Sequence, residues 1–129
     1  MEYKNVLGSQ LEICNCTPMT GWYRDGKCKT DLSDKGMHTV CAVITEQFLR
    51  YSKAQGNDLS TPMLQYNFPG LKEGDHWCLC APRWLEAYAD GMAPLIKLEA
   101  TEESTLKIIN LEILRQFAYR ESKGASQKE

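Results

Sequence analysis

The stretch Gly74-Asp75-His76-Trp77-Cys78-Leu79-Cys80-Ala81-Pro82-Arg83-Trp84 decides the fold prediction, because a turn, a strand and the start of a helix follow one another within it. Gly74-Asp75 is a turn signal. The aromatic and apolar residues from His76 to Cys80 are typical of a strand that is buried on at least one face. Side chains alternate along a strand, which puts Trp77 and Leu79 on one face and His76, Cys78 and Cys80 on the other.

A helix is predicted directly after this strand. Pro82 suits the first turn of a helix, where its missing N–H is not needed. Gly91 can end the helix. The residues between them that recur at helical spacing are Trp84, Leu85 and Tyr88.

A longer helix is predicted upstream, from apolar residues that recur at intervals of three or four and would line one helix face. Thr39 is its predicted N-cap, and Gly56 its predicted stop. Cys41 would lie in the first turn, near the positive end of the helix dipole, with His38 just before the helix. The apolar residues are Val40, Val43, Ile44, Phe48 and Tyr51.

Weaker signals predict the remaining elements. Asp25-Gly26 is a favoured hairpin-turn pair, placed between Trp22-Tyr23-Arg24 and a short return strand, Lys27-Cys28-Lys29. The segment from Leu95 to Glu99 is predicted to be a strand. Helix caps are predicted at Thr101, for a short helical turn, and at Asn110, for a last helix with Leu111, Leu114 and Phe117 on its buried face.

Length and composition agree with one globular domain. The chain has 129 residues, of which 43% are hydrophobic and 25% are charged. We therefore predict an α+β fold, a single compact domain over residues 1–120, in which a small, mainly antiparallel sheet packs against about three helices. Residues 121–129 are predicted to form a polar, frayed tail.

Charge and termini limit the expected partners and location. The net charge of −2 gives no support for nucleic-acid binding, so no nucleic-acid partner is expected. No membrane association is expected either, because no apolar run approaches the roughly 18 residues of a span. The N-terminus, Met1-Glu2-Tyr3-Lys4-Asn5, lacks the regions of a signal peptide, which predicts a cytoplasmic location. Thiols stay reduced there, so the six cysteines need an interpretation other than a disulfide framework.

The chain resembles a bacterial family of small uncharacterised proteins, the domain-of-unknown-function family twenty-two thirty-seven. The similarity runs from about Asn5 to Phe117 and implies a stand-alone cytoplasmic domain without an assigned activity. Its carrying motifs are Thr20-Gly21-Trp22-Tyr23-Arg24-Asp25-Gly26, His38-Thr39-Val40-Cys41, Gly56-Asn57-Asp58-Leu59-Ser60-Thr61-Pro62, Phe68-Pro69-Gly70-Leu71-Lys72 and Gly74-Asp75-His76-Trp77-Cys78-Leu79-Cys80, with Arg83-Trp84 and Ala93-Pro94.

The chain departs from similar sequences at two positions. His76 stands where arginine is frequent, and Glu102 stands where a histidine often follows the Ala-Thr of the late strand. The second departure removes one candidate metal ligand or base.

Zinc is the candidate cofactor, because thiolates and imidazoles are its usual ligands. The spacing differs from the Cys-x-x-Cys of zinc ribbons and fingers. On a strand, the Cβ atoms of Cys78 and Cys80 would be roughly 6.5 to 7 Å apart, whereas two sulfurs on one zinc are roughly 3.8 Å apart. Alternatively, the cysteines are small core residues. The candidate ligands are Cys14, Cys16, Cys28, Cys41, Cys78 and Cys80, with His38 and His76.

Thiol catalysis is a second interpretation. Cys41 at a helix N-terminus would be an activated thiol if it were exposed, and His38, three residues earlier, could act as its base. Asp58 or Asp75 could orient that histidine. Alternatively, Cys41 faces the core and is inert.

A ligand pocket is the third interpretation, with charged anchors and aromatic walls near the loop of residues 57–62. Alternatively, Asp58 braces its own loop, Arg83 pairs with an acid, and the tryptophans belong to the core. The candidate ligand-binding residues are Asn57, Asp58, Trp77, Arg83 and Trp84, with Trp22 as a further wall.

The sequence thus favours a small cytoplasmic protein that binds a small molecule or a metal at a site lined by cysteine, histidine and aspartate. The alternative function is a cysteine-dependent enzyme in which His38 activates Cys41. For either function we expect three segments to meet in space, namely residues 38–41, 57–62 and 76–80.

Overall fold

The computed structural model describes residues 3–120, and within that range it confirms the predicted α+β fold. Three strands form one antiparallel sheet in the order β2-β1-β3. They are β1 (Val40–Val43), β2 (His76–Leu79) and β3 (Leu95–Ile96). The α-helices of the described residues are α1 (Glu46–Ala54), α2 (Ala81–Ala89) and α3 (Leu111–Gln116).

The β2-to-α2 segment has the predicted order of strand and helix. Pro82 lies in the first turn of α2, and Gly91, at a φ of 73°, follows the helix end. Trp84 is completely buried, stacks on Tyr88 with ring centroids 5.6 Å apart, and donates its Nε1–H to the Pro94 carbonyl at 3.0 Å. Burial of this large ring, with its one polar atom satisfied, fixes α2 against the sheet.

The helix predicted to start after Thr39 is wrong in its first part. Residues from Val40 to Val43 form the central strand, in which Cys41 pairs directly with Cys78 of β2. The helix begins only after Thr45, whose Oγ1 accepts from the Phe48 N–H at 3.0 Å. A short run of β-branched residues fits a buried strand as well as it fits one face of a helix.

The predicted hairpin at residues 22–29 is also wrong, because this segment contains no strand. Arg24 takes a positive φ of 56°, and the Gly26 N–H donates to the Thr20 carbonyl, so the chain loops back without a return strand. Leu95 and Ile96 do pair with β1, but a 3-10 turn from Leu98 to Ala100 replaces the rest of the predicted strand.

Of the two helix caps predicted near the C-terminus, the one at Asn110 is confirmed and the one at Thr101 is displaced by one residue. The Asn110 side chain accepts from the Glu112 N–H at the start of α3, as predicted. The 3-10 helix Glu103–Lys107 is capped by Glu102 rather than by Thr101. The predicted tail at residues 121–129 lies outside the described residues.

Two disulfides fasten the irregular residues 3–39 to the sheet, within the part of the chain that the structure describes. Cys14 is bonded to Cys41 of β1, and Cys28 is bonded to Cys78 of β2. The expectation that the cysteines need an interpretation other than disulfides is therefore wrong for four of the six. Residues 3–39 contain no α-helix or strand. The two disulfides therefore restrain a segment that has few backbone hydrogen bonds of regular secondary structure to hold it.

Within residues 3–120, no helix is both long and apolar enough to span a membrane.

Candidate functional site

Asp34, His38 and Cys80 form a continuous chain of contacts at the end of β2. Asp34 Oδ1 lies 2.6 Å from His38 Nδ1, and His38 Nε2 lies 3.3 Å from Cys80 Sγ. Cys80 is one of two free cysteines among the described residues and is partly exposed. An acid, an imidazole and a thiol in this order match the orienting group, the base and the nucleophile of thiol enzymes.

A tight turn before β1 holds the imidazole in place. The Met37 N–H donates to the Asp34 carbonyl, and Met37 takes a positive φ of 52°. The Met37 carbonyl then accepts from the Ala81 N–H at 2.9 Å, which ties the turn to the first residue of α2. Because Ala81 follows Cys80 directly, this bond sets the positions of His38 and Cys80 relative to each other.

Asp34 is a buried carboxylate that accepts hydrogen bonds from this turn and from Thr30. The residue is 3% exposed, and its Oδ2 accepts from the His38 N–H at 2.9 Å and from Thr30 Oγ1 at 3.0 Å. These bonds fix the carboxylate so that Oδ1 faces Nδ1 of the imidazole. Nε2 is thereby directed toward the sulfur.

The contacts of His38 favour its protonated form. The hydrogen bond to Cys80 is the largest cause, and with the bond to Asp34 and the negative charges of both partners it raises the pKa of His38 to about 9, although burial opposes the shift. An imidazolium beside a sulfur stabilises the thiolate, which is the nucleophilic form. Cys80 is also the N-cap residue of α2, where the helix dipole favours a negative charge.

A pocket of about 320 Å³ opens on this pair. Trp22 stacks on the His38 ring, with centroids 5.8 Å apart and an interplanar angle of 17°. The Arg24 guanidinium lies 5.4 Å from the centroid of Trp77, which forms another wall. The lining residues are Trp22, Arg24, His38, Asn57, Leu59, Trp77, Leu79 and Cys80.

Gly36 lies directly against the reactive pair. A Cβ at this position would lie 3.0 Å from His38 Cε1 and 3.1 Å from Cys80 Sγ. Since both distances are shorter than ordinary van der Waals contact, the absence of a side chain here lets the imidazole and the thiol meet.

The predicted nucleophile, Cys41, is placed elsewhere. It is completely buried on β1 and bonded to Cys14, so it is neither in a helix turn nor a free thiol. Neither predicted orienting acid reaches His38. Asp58 is bound by its own loop, where a hydrogen bond from Thr61 and others from Ser60 lower its pKa to about 2, and Asp75 accepts from the Lys72 N–H.

The predicted ligand-binding residues divide into two groups. Asn57 and Trp77 do line the pocket beside His38 and Cys80. The prediction is wrong for Trp84, which is fully buried in the core, and Arg83 instead binds the Gln55 carbonyl and the Glu86 carboxylate. Asp58 is exposed and braces its loop. The expected meeting of three segments thus occurs through His38, Leu59 and Cys80, and not through Cys41 or Asp58.

The candidate cysteine ligands lie in different parts of the structure. Cys14, Cys28 and Cys78 have sulfurs within 4.8 Å of one another, and Cys41 is bonded to Cys14. We call these four residues the cysteine cluster. Cys16 is exposed and free, and Cys80 contacts His38.

Asp34 is the site residue that sequence reasoning missed. Its signal was weak, since an aspartate four residues before a histidine in a polar loop is common. The free state of Cys80 was equally hidden, because disulfide connectivity does not follow from sequence.

The comparisons with known proteins agree with the resemblance found in the sequence. The model of a family described as an uncharacterized protein conserved in bacteria, DUF2237, matches residues 4–118. This range contains all of Asp34, His38, Cys80 and the cysteine cluster. No curated protein matches the chain.

Proposed function

We propose that this chain, which belongs to the DUF2237 family of uncharacterised bacterial proteins, is a thiol-dependent enzyme in which Cys80 attacks a small electrophilic substrate. The observation that carries the proposal is the contact chain from Asp34 through His38 to Cys80 at the wall of a pocket. The predicted small-molecule binding is included in this function, since the pocket must first hold the substrate.

Each residue of the contact chain has a distinct role. The Cys80 thiolate attacks an acyl carbon and forms a thioester, while the protonated His38 gives its Nε2 proton to the departing group. Water then hydrolyses the thioester, His38 takes a proton from that water, and the thiolate is restored. Asp34 keeps the imidazole in the required tautomer and orientation.

Arg24 indicates the charge of the substrate. It forms no ion pair with a carboxylate of residues 3–120, and its position over Trp77 places a cation at the pocket. Guanidinium groups bind carboxylates and phosphates through paired hydrogen bonds. The substrate therefore carries a negatively charged group besides its electrophilic carbon.

The cytoplasmic location remains a prediction from the sequence. In that compartment thiol reductants would keep a partly exposed sulfur such as Cys80 in its reduced, reactive form.

Alkylation of the native protein tests the proposal. Iodoacetamide near neutral pH, with mass-spectrometric mapping of each cysteine, should modify Cys80 much faster than Cys16, the exposed free thiol that serves as an internal control. His38→Asn should remove most of this difference. Equal rates at Cys80 and Cys16 would contradict an activated thiol and would leave the pocket as a binding site without covalent chemistry.

An activated ester tests the acyl step itself. Mixing the protein with p-nitrophenyl acetate should release a burst of one nitrophenolate per chain, and Cys80→Ser should abolish the burst while Cys16→Ser retains it. A burst that survives Cys80→Ser would assign the chemistry to another group.

A further inference from the structure

The cysteine cluster brings together four sulfurs that the Cys80 site does not use. Cys14 and Cys28 come from the irregular N-terminal segment, whereas Cys41 and Cys78 are opposite each other on β1 and β2. All four residues are buried, the most exposed of them by only 4%.

We infer that the cysteine cluster is a tetrathiolate zinc site in the reduced protein, and that the two disulfides are its oxidised, metal-free form. The sulfurs of Cys14, Cys28 and Cys78 lie within 4.8 Å of one another. In a tetrahedral zinc site with Zn–S bonds near 2.3 Å, the sulfurs are about 3.8 Å apart. These three sulfurs therefore already lie at distances close to those of a filled site, and the fourth, that of Cys41, is bonded to Cys14.

The change from disulfides to zinc requires little movement of the backbone. Bonded sulfurs about 2.0 Å apart must separate to about 3.8 Å, which side-chain rotation can provide. The strands bearing Cys41 and Cys78 stay paired during this change, because the ladder between β1 and β2 does not depend on the sulfurs. The other two ligands lie in loops, which can adjust to the tetrahedral geometry.

The redox step balances with a dithiol reductant of the thioredoxin class. The reductant gives two electrons and two protons to each disulfide and becomes a disulfide itself. Zinc then displaces the protons of the four thiols, and the bound site carries two negative charges.

Access to the buried sulfurs comes from the N-terminal segment. Residues 3–39 carry two of the ligands and contain no α-helix or strand, so local opening of this segment exposes the cluster without breaking the sheet. Zinc binding closes the segment again, because the metal joins Cys14 and Cys28 to the two strands.

Cobalt substitution tests the site in the full chain. The double variant Cys16→Ser/Cys80→Ser leaves only the cysteine cluster, and cobalt in a tetrathiolate site gives intense visible bands together with sulfur-to-metal charge transfer in the near ultraviolet. After anaerobic reduction with a phosphine, this variant should bind one cobalt per chain with that spectrum, and zinc should displace it. The oxidised variant should bind none. Reduced protein without uptake, or the weak spectrum of six-coordinate cobalt, would overturn the inference.

Removal of one ligand completes the test. Cys28→Ser in the double-variant background should lose the tetrathiolate spectrum, and an unchanged spectrum and stoichiometry would also overturn the inference. Because this variant can fail to fold, the metal content of the reduced wild-type protein provides a second measurement. Zinc should protect four thiols per chain from alkylation until a strong chelator removes it, and protection of fewer than four contradicts the site.

Discussion

At the scale of single residues, His38 links the reactive site to the stability of the fold. Its pKa rises from 6.5 to about 9 on folding, so the folded state binds the imidazole proton more tightly than the unfolded state does. The resulting stabilisation is complete below pH 6.5 and is lost as the pH rises through about 9. His38→Asn lacks this contribution at every pH.

The prediction is a pH-dependent stability difference between the wild type and His38→Asn. Urea unfolding should give a larger difference below pH 6.5 than above pH 9. Titrating groups that do not contact His38 are the same in both proteins, so their pH dependence cancels in the comparison. A difference that stays constant over this range would show that folding does not raise the pKa of His38.

Arg24 provides a second prediction at this scale. The cation at the pocket should attract iodoacetate to Cys80 more than it attracts the neutral iodoacetamide. Arg24→Gln should therefore lower the rate with iodoacetate by roughly tenfold, the effect of about 1.4 kcal/mol, while the rate with iodoacetamide changes little. Lys72→Gln, a charge change outside the pocket lining, is the control. Equal losses with both reagents would mean that Arg24 acts on the thiol or on the fold instead of on the anion.

At the scale of elements, the predictable parts are those where several local signals agree. The turn at Gly74-Asp75, the apolar residues of β2 and the proline in α2 predicted a strand followed by a helix, and the structure has both. The face predicted for Cys80 is wrong, because Cys80 follows the strand and lines the pocket together with Trp77 and Leu79. For β1, the apolar residues alone fitted a strand and a helix equally, and pairing with β2 decided between them. The contact of Asp34 with His38 depends on a turn in which Met37 has a positive φ. The residue types in that turn do not predict this conformation.

Thr45 tests the corrected start of α1. Its Oγ1 accepts from the Phe48 N–H at 3.0 Å, so Thr45→Ala should lower the free energy of unfolding by about 1 kcal/mol. Thr45→Ser retains the hydroxyl and should cost much less, which makes it the matched control in urea denaturation. If both variants unfold at the wild-type urea concentration, the helix does not depend on this cap.

At the scale of the whole molecule, the Cys80 site depends on the cysteines that hold the N-terminal segment in place. Residues 3–39 supply Asp34, His38, Trp22 and Arg24 to the site, yet contain no α-helix or strand of their own. Two disulfides, or the zinc that we infer in their place, hold this segment against β1 and β2. The cysteine cluster therefore supports the Cys80 site indirectly, by keeping the imidazole next to its thiol.

This dependence makes two distinct predictions for Cys14→Ala/Cys41→Ala. In oxidising buffer the variant keeps the Cys28–Cys78 bond and loses a cross-link over 27 residues, which should cost about 3 to 4 kcal/mol in the free energy of unfolding. In reducing buffer with zinc it should lose all stabilisation by the metal, because two thiolates cannot form the tetrathiolate site. The melting temperature of wild-type protein should rise with zinc only when it is reduced, and that of the variant should not respond.

Cys16→Ala is the control for both conditions, since Cys16 is exposed and free, and its melting temperature should follow the wild type. A zinc response that persists in Cys14→Ala/Cys41→Ala would place the metal outside the cysteine cluster, while the disulfide prediction would still stand on the oxidised measurement. An oxidised variant as stable as the wild type would instead show that the Cys28–Cys78 bond and the hydrogen bonds of residues 3–39, including the Val6 N–H to the Thr101 carbonyl at 2.9 Å, hold the segment without the Cys14–Cys41 bond. Alkylation of Cys80 should be slower in Cys14→Ala/Cys41→Ala than in the wild type, because release of the segment removes His38 from the sulfur.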